Sequence, residues 1–532
     1  MKNIGRRSFL KKAAMGSGSL LLSNGLTAQT NAREFIVPEV YMKSKRKRPL
    51  NVVWITCDEM NSRAMSIYGN PHTRMPGAEL MCHEGVTFEA AYVQMPKSVP
   101  SRVSMITGRY PHCEGHRTLT GKKYCQPFEG LKNDMFTIAE DEFNLIPIVR
   151  KMGYKTCLLG KNHLVDWSLH KKWFDLTQDW SYEKEYTPAV PVGKDWERAH
   201  FTGRLADSYN MDNDKDAVAT RQACGFIREN KGHPFFALID IERPHPKYIE
   251  FTNMPSYSIP LEEIDNPTVV PLEQAPSVEQ AKRRSFDLEH FTDNDRKRVR
   301  RAYYSMCEYA DSMVKRIIDE IDRQGLAEDT LIVYCADHGD FNGERNMYEK
   351  WDTSFYDEIV RVPLLMRLKG TLPAGKRVPN LVELIDIAPT ILELMGFEKP
   401  VWMHGKSLVD LVMGKTTEHK DAVFSQGGVE REALDRPEGY MYNGKLSAKQ
   451  RVVHDFPESM IKSRMIRTDR FKFVYRLAGD HELYDMEQDP HEVKNLAYDP
   501  AYRETVFQLQ ERLLRFMMEY ETDYPVIDRL HC

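Results

Sequence analysis

The sequence predicts an α/β protein in which a large, mostly parallel sheet is packed between helices, followed by a small antiparallel sheet with one helix. Three observations carry that prediction. Short runs apolar on both faces recur at 51–57, 155–159, 235–241, 330–335 and 362–368, which suits strands buried inside a parallel sheet. Most of the later runs are preceded by a stretch with helical spacing. After about Gly428 the pattern changes to short strand-like pieces, at 465–466 and 472–476, which lead through turn residues into an amphipathic stretch at 501–518.

Residues 1–32 read as a targeting segment and stand outside the fold. Gly5-Arg6-Arg7-Ser8-Phe9-Leu10-Lys11 leads into a weakly apolar stretch and then small residues near Ala28 and Ala32, which resembles a twin-arginine export signal. The export machinery that reads such signals is therefore an expected partner, and the mature chain is expected in the periplasm or outside the cell. No other apolar run approaches the roughly 20 residues of a membrane span, so no span is expected in the mature form. The basic run at 43–48 reads as a solvated lead-in to the first strand.

At 532 residues the chain exceeds one hydrophobic core, so a large domain at 33–428 and a smaller α+β domain at 429–532 are expected. A net charge of -4 supplies no basic field, which argues against a nucleic-acid partner. The 9 cysteines contain no Cys-x-x-Cys pair, which argues against a zinc site or a disulfide scaffold.

Within the large domain, Tyr303, Met306, Tyr309, Met313, Ile317 and Ile321 recur at helical spacing and predict a helix over 297–324 that stops at Gly325. A second helix is predicted over 381–395, ending at Gly396. The proline-rich segment 255–276 lacks periodicity and predicts a long surface loop near the site.

In an open parallel sheet, ligands gather at the carboxyl ends of the strands. Three of the apolar runs end in strong metal or anion ligands: Asp58-Glu59, Lys161-Asn162-His163 after Gly160, and Asp337-His338-Gly339. Another is followed by Arg243-Pro244-His245-Pro246. Acidic strand ends brought together would repel unless a divalent cation lay between them. Asp58, Glu59 and Asp337 offer hard oxygen ligands that favour calcium or magnesium, and His338 leaves manganese open.

The segment Ser98-Val99-Pro100-Ser101-Arg102, continued by Thr107-Gly108-Arg109-Tyr110-Pro111-His112, resembles the sulfatase signature, in which Cys or Ser is followed by x-Pro-Ser-Arg and then a Thr-Gly-Arg block. The resemblance extends from about Asn51 to Pro500 and includes the late marks Glu482-Leu483-Tyr484-Asp485, Asp489-Pro490 and Asn495-Leu496. It implies the alkaline phosphatase-like fold, with a large mixed, mostly parallel sheet.

The resemblance also implies that Ser98 is converted to formylglycine (3-oxoalanine), whose hydrated aldehyde is the nucleophile. An unmodified serine hydroxyl is a poor nucleophile without an adjacent base or metal. A Ser at this position implies an anaerobic-type sulfatase-maturing enzyme as partner. By the same resemblance Asp58, Asp337 and His338 are metal ligands with Ser98, and Glu59 departs from the more usual Asp or Gln. Calcium is the implied ion, with Mg2+ or Mn2+ as alternatives. Arg102 and Lys161 are implied to hold the diol and the metal-side charge, and His163 to bond the diol. His245 is implied to protonate the leaving alcohol, and Lys350, in Glu349-Lys350-Trp351, to neutralise sulfate oxygens. Arg63, His83, His112, His116 and Arg117 lie near the motifs, where structural roles are as plausible as pocket lining.

The implied function is hydrolysis of a sulfate ester, on a sulfated carbohydrate. The same cage of cations also suits a phosphomonoester, phosphodiester or phosphonate ester hydrolase of the same superfamily. A non-catalytic sulfated-glycan binding protein is a third reading, against which the intact acidic and cationic sets weigh.

Overall fold

The computed structural model describes residues 49–114, 138, 144–165, 167–178, 204–205, 214–429 and 448–520. The export segment, the basic run at 43–48, His116, Arg117, Cys125 and Cys532 lie outside the described residues.

In chain order the strands are β1 (Asn51–Cys57), β2 (Val86–Tyr92), β3 (Lys155–Gly160), β4 (Leu176–Thr177), β5 (Arg204–Leu205), β6 (Phe235–Ile241), β7 (Ile249–Glu250), β8 (Thr330–Ala336), β9 (Arg361–Arg367), β10 (Lys376–Glu383), β11 (Ala422–Gly427), β12 (Ser463–Thr468), β13 (Phe471–Arg476) and β14 (Glu482–Asp485). The main sheet has 8 strands in the order β10, β2, β9, β8, β1, β6, β3, β4. Strand β9 runs antiparallel to both neighbours and the other pairings are parallel, so the sheet is mixed and mostly parallel. Strands β1, β6 and β8 are buried along their whole length, which explains why they are apolar on both faces.

The helix that packs on this sheet as Asp293–Arg323 begins ahead of the predicted 297, because Thr292 and Asp295 form a reciprocal cap at its start. The helix predicted over 381–395 needs correction. Leu381 and Val382 belong to β10 and pair with Ala90 and Ala91 of β2, and the helix proper is Ile387–Leu394. Burial of these branched side chains against β2 outweighs their helix-like spacing. Segment 255–276 carries short 3-10 turns, Pro255–Ser258, Leu261–Glu263 and Leu272–Gln274, between irregular stretches.

Strands β11 to β14 form a separate antiparallel sheet in sequence order. The helix Arg503–Glu519 covers one face of it, with Leu509 and Leu513 clustered on Ile466, Phe473 and Leu483. Its first strand lies ahead of residue 429. All seven described cysteines are free. Among the described residues, no helix is long and apolar enough to cross a membrane.

Candidate active site

The central strand order β8, β1, β6, β3 brings four carboxyl ends side by side. Asp58 follows β1, Asp337 follows β8, Lys161 follows β3, and His245 lies in the turn after β6. Backbone bonds extend the pairing past the strands: Asp58 N donates to Ile241 O at 2.9 Å and Lys161 N to Asp240 O at 3.0 Å. Gly160, at φ +94, lets β3 turn there, and a Cβ at this position would lie 1.8 Å from Asp240 O.

Ser98 is the first residue of the buried helix Ser98–Thr107, whose positive end faces these carboxylates. Ser101 Oγ donates to Asp337 O at 2.6 Å and fastens the helix to the end of β8. Ser98 Oγ then lies 3.0 Å from His338 Nε2. One turn along the helix, Arg102 touches three carboxylates: Asp337 Oδ2 at 2.8 Å, Asp58 Oδ2 at 3.2 Å and Asp240 Oδ1 at 2.6 Å. Lys161 Nζ adds a second cation to Asp58 Oδ2 at 2.8 Å.

Burial alone raises the Asp58 carboxyl, but Lys161, His245, Arg102 and His338 outweigh it and hold Asp58 well below the usual carboxylate range. Burial pushes Asp240 up to about 6, opposed chiefly by Arg102. Two groups of donors lie close enough to hold one metal ion: Asp58, Asp337 and His338, and Asp58, Glu59 and His245. The first fits a divalent cation better. All three of its residues are fully buried, and Asp58 Oδ1 accepts no hydrogen bond. His338 Nδ1 sits 3.1 Å from Gly339 O, a group that only accepts, so Nδ1 carries the proton and Nε2 keeps a lone pair for the ion.

Glu59 is turned differently. Its backbone adopts φ 70, and its carboxylate takes Lys350 Nζ at 2.7 Å and Lys350 N at 3.0 Å, with His245 Nε2 at 3.5 Å. Burial pushes Glu59 up to about 7, against Lys350. His245 Nδ1 is 2.7 Å from Pro246 O, which leaves its Nε2 facing the site. Burial and the nearby Lys161 and Lys350 hold His245 well below the ordinary histidine range, and burial with Lys161 does the same to His163. The turn carrying His245 is itself fixed, because the Asp216 carboxylate accepts from Glu242 N at 2.8 Å and Arg243 N at 3.0 Å.

Ser98, Arg102, Asp58, Glu59, Lys161, His245, Asp337, His338 and Lys350 are thus joined by contacts, and His163 lies in the field of Lys161, Asp58, Arg102 and Lys350. Of the side chains near the motifs, two are engaged elsewhere and one is exposed. Arg63 bonds Glu358 and Pro490 O, His112 bonds Gln426 at 2.8 Å, and His83 is exposed. Sequence reasoning missed Asp240, although a lone acid inside the run Phe235–Ile241 is a usable signal. It also missed Asp340, which takes the Tyr248 hydroxyl at 2.7 Å.

A helix N-terminus bearing Ser98, laid over carboxylates at the ends of parallel strands, places the chain among the hydrolases of the alkaline phosphatase-like superfamily. The family model for sulfatases matches residues 50–397, and that for the C-terminal part of N-sulphoglucosamine sulphohydrolase matches 452–519. The chain belongs to the sulfatase family, the sulfuric ester hydrolases. It is 26% identical to a choline-sulfatase of Rhizobium meliloti (strain 1021), over 85% of this chain and 83% of the relative. It is 25% identical to a Delta 4,5-hexuronate-2-O-sulfatase of Bacteroides thetaiotaomicron, over 89% of this chain and 90% of the relative. The solved structure of a phosphonate monoester hydrolase from Silicibacter pomeroyi superposes with a TM-score of 0.68 at 20% identity, covering 90% of this chain and 97% of that one, a likeness of fold alone.

Proposed function

We propose that this sulfatase cleaves a sulfate ester on a sulfated carbohydrate, using position 98 as formylglycine and a divalent cation, calcium for preference. The observation that carries the reading is the convergence of Ser98 with Asp58, Asp337 and His338 on one side and Lys161, Lys350 and His245 on the other. A relative named for a hexuronate 2-O-sulfate and a C-terminal region named for a sulphoglucosamine enzyme support the carbohydrate class. Asp58, Asp337 and His338 would hold the cation. When present, the cation supplies Lewis acidity and the formylglycine a geminal diol nucleophile.

The chain's own groups supply the rest. Arg102 and Lys161 hold Asp58 ionised and oriented, so the ligand set needs no rearrangement. Lys161 and Lys350 face the negative charge that develops on the sulfate oxygens. The Pro246 carbonyl accepts from His245 Nδ1, so Nε2 faces the site and would carry the transferable proton only in the imidazolium form. Burial, with Lys161 and Lys350, holds this ring below the ordinary histidine range, and an arriving anion would oppose the part that the two lysines supply.

The test compares a sulfated and a phosphorylated aryl ester on one preparation, with sulfated oligosaccharides assayed beside them. Sulfate turnover is expected to dominate and to vanish in Ser98→Ala. Faster turnover of the phosphorylated ester would instead assign the chain to phosphoester or phosphonate hydrolysis. The same reading takes the protein out of the cytoplasm by its twin-arginine-type segment, after an anaerobic-type maturase has acted on Ser98. Fractionation of the natural host, with mass spectrometry of the peptide holding position 98, checks both, since formylglycine is two hydrogens lighter than serine.

A further inference from the structure

Lys350 is the end point of a turn whose three backbone carbonyls converge on one side chain. Lys282, on the helix Ser277–Ser285, sends its ammonium to the carbonyls of Tyr348, Glu349 and Lys350, the last two at 3.2 Å. An ammonium has three N–H donors and no acceptor, so the three carbonyls match its full capacity. Lys282 is 1% exposed. The rings of Phe341, Trp351 and Phe286 surround the ammonium at 5.2, 5.9 and 5.9 Å.

Three successive carbonyl dipoles aimed at one point repel each other unless a cation sits where they meet. Glu349 stands at φ 51 in this turn, a conformation that a glutamate rarely adopts without outside support. The opposite edge of the turn is also fixed: Glu349 N donates to Tyr248 Oη at 3.0 Å and Lys350 N to Glu59 Oε1 at 3.0 Å. The turn is therefore gripped by its amides from the site side and by its carbonyls from behind.

We propose that Lys282 is a positioning residue for the reaction, holding the backbone of Tyr348, Glu349 and Lys350 so that the Lys350 ammonium is set in place for the anionic group of the substrate. This rests on the reading of Lys350 as an anion anchor. Lys282 touches neither substrate nor cation; it acts through Lys350 alone.

The test is a double-mutant cycle on the full chain with a sulfated aryl ester: wild type, Lys282→Ala, Lys350→Ala and the double variant. Lys282→Ala is expected to lower kcat/KM about 10-fold in the wild-type background and less than about 2-fold once Lys350 is alanine, because a residue acting through Lys350 has nothing left to position. Equal losses in both backgrounds overturn the proposal, as does wild-type kcat/KM in Lys282→Ala. Wild-type kcat/KM in Lys350→Ala sinks the anchor reading instead, so the two failures are distinguishable. Lys282→Met keeps the apolar stem among the rings and runs the same cycle, with the same outcomes, if the alanine chain does not fold.

Discussion

Ser98 Oγ and His338 Nε2 lie 3.0 Å apart across 240 positions of sequence, and the pairing fixes the chemistry of the imidazole. The Gly339 carbonyl accepts a hydrogen bond from Nδ1–H, so the Nε2 lone pair points at the hydroxyl, with Asp58 Oδ1 at 3.8 Å and Asp337 Oδ1 at 3.7 Å. A cation placed among these atoms would be held by a neutral nitrogen and two carboxylates. His338→Ala is therefore expected to weaken divalent metal binding by at least about 10-fold, read as metal content after dialysis and as the concentration that restores activity. Unchanged metal content in that variant would show that the ion, if any, sits elsewhere.

Arg102 is shared as a counter-ion by three buried carboxylates of the site. Removing it leaves Asp58, Asp240 and Asp337 buried together without their shared counter-ion. Arg102→Met is expected to cost about 3–5 kcal/mol of stability, the range for a buried ion pair broken from one side. Added divalent cation should return part of the loss in a thermal melt, since it neutralises the same carboxylates. A melting temperature indistinguishable from wild type in metal-free buffer would contradict this.

Much of that arrangement could be read ahead of the structure, and the remainder has physical reasons for being hidden. Asp58, Lys161 and Asp337 were legible because each lies within two residues of the end of an apolar run, and the topology of a parallel sheet sends such residues to a common edge. Asp240 was hidden because it sits inside a run buried on every side, and only Arg102 beneath it accounts for its presence. The clasp of Glu59 on Lys350 depends on φ 70 at Glu59, which no spacing encodes. Strand β10 was misread because Leu381 and Val382 continue an apolar spacing that suits a helix until β2 is placed beside them.

Acid sensitivity is expected from a cluster remote from the chemistry. Burial by itself raises the Asp386 carboxyl, but Lys420 Nζ at 2.7 Å and His419 Nε2 at 3.1 Å outweigh it and hold Asp386 at about 2. A carboxyl held below its unfolded value contributes stability above about pH 4, and that contribution is lost as pH falls toward 2. Its size is on the order of 2 kcal/mol. Lys420→Met should flatten the stability profile between about pH 4 and 2 and lower the plateau above it. Denaturant melts across that range check it, and a wild-type slope in the variant would show that Asp386 is not responsible.

Gly160 joins fold and chemistry at one backbone position. Its φ of +94 turns the chain out of β3 so that Lys161 N meets Asp240 O at 3.0 Å and Lys161 Nζ meets Asp58 Oδ2 at 2.8 Å. An added methyl would lie 1.8 Å from the Asp240 carbonyl oxygen, a backbone atom that cannot swing aside as a side chain can. Gly160→Ala must therefore push β3 and β6 apart at their carboxyl ends, on top of a backbone strain of about 1–3 kcal/mol. Both Lys161 and Asp240 move with those strands, so kcat/KM is expected to fall by about 100-fold or more even where the chain remains folded. Gly153, at φ +83 with open space around it, is the control: Gly153→Ala carries the conformational strain without the clash and should leave kcat/KM near wild type. Equal activity losses in the two variants would mean that strain alone, and not the fit of β3 against β6, accounts for the effect.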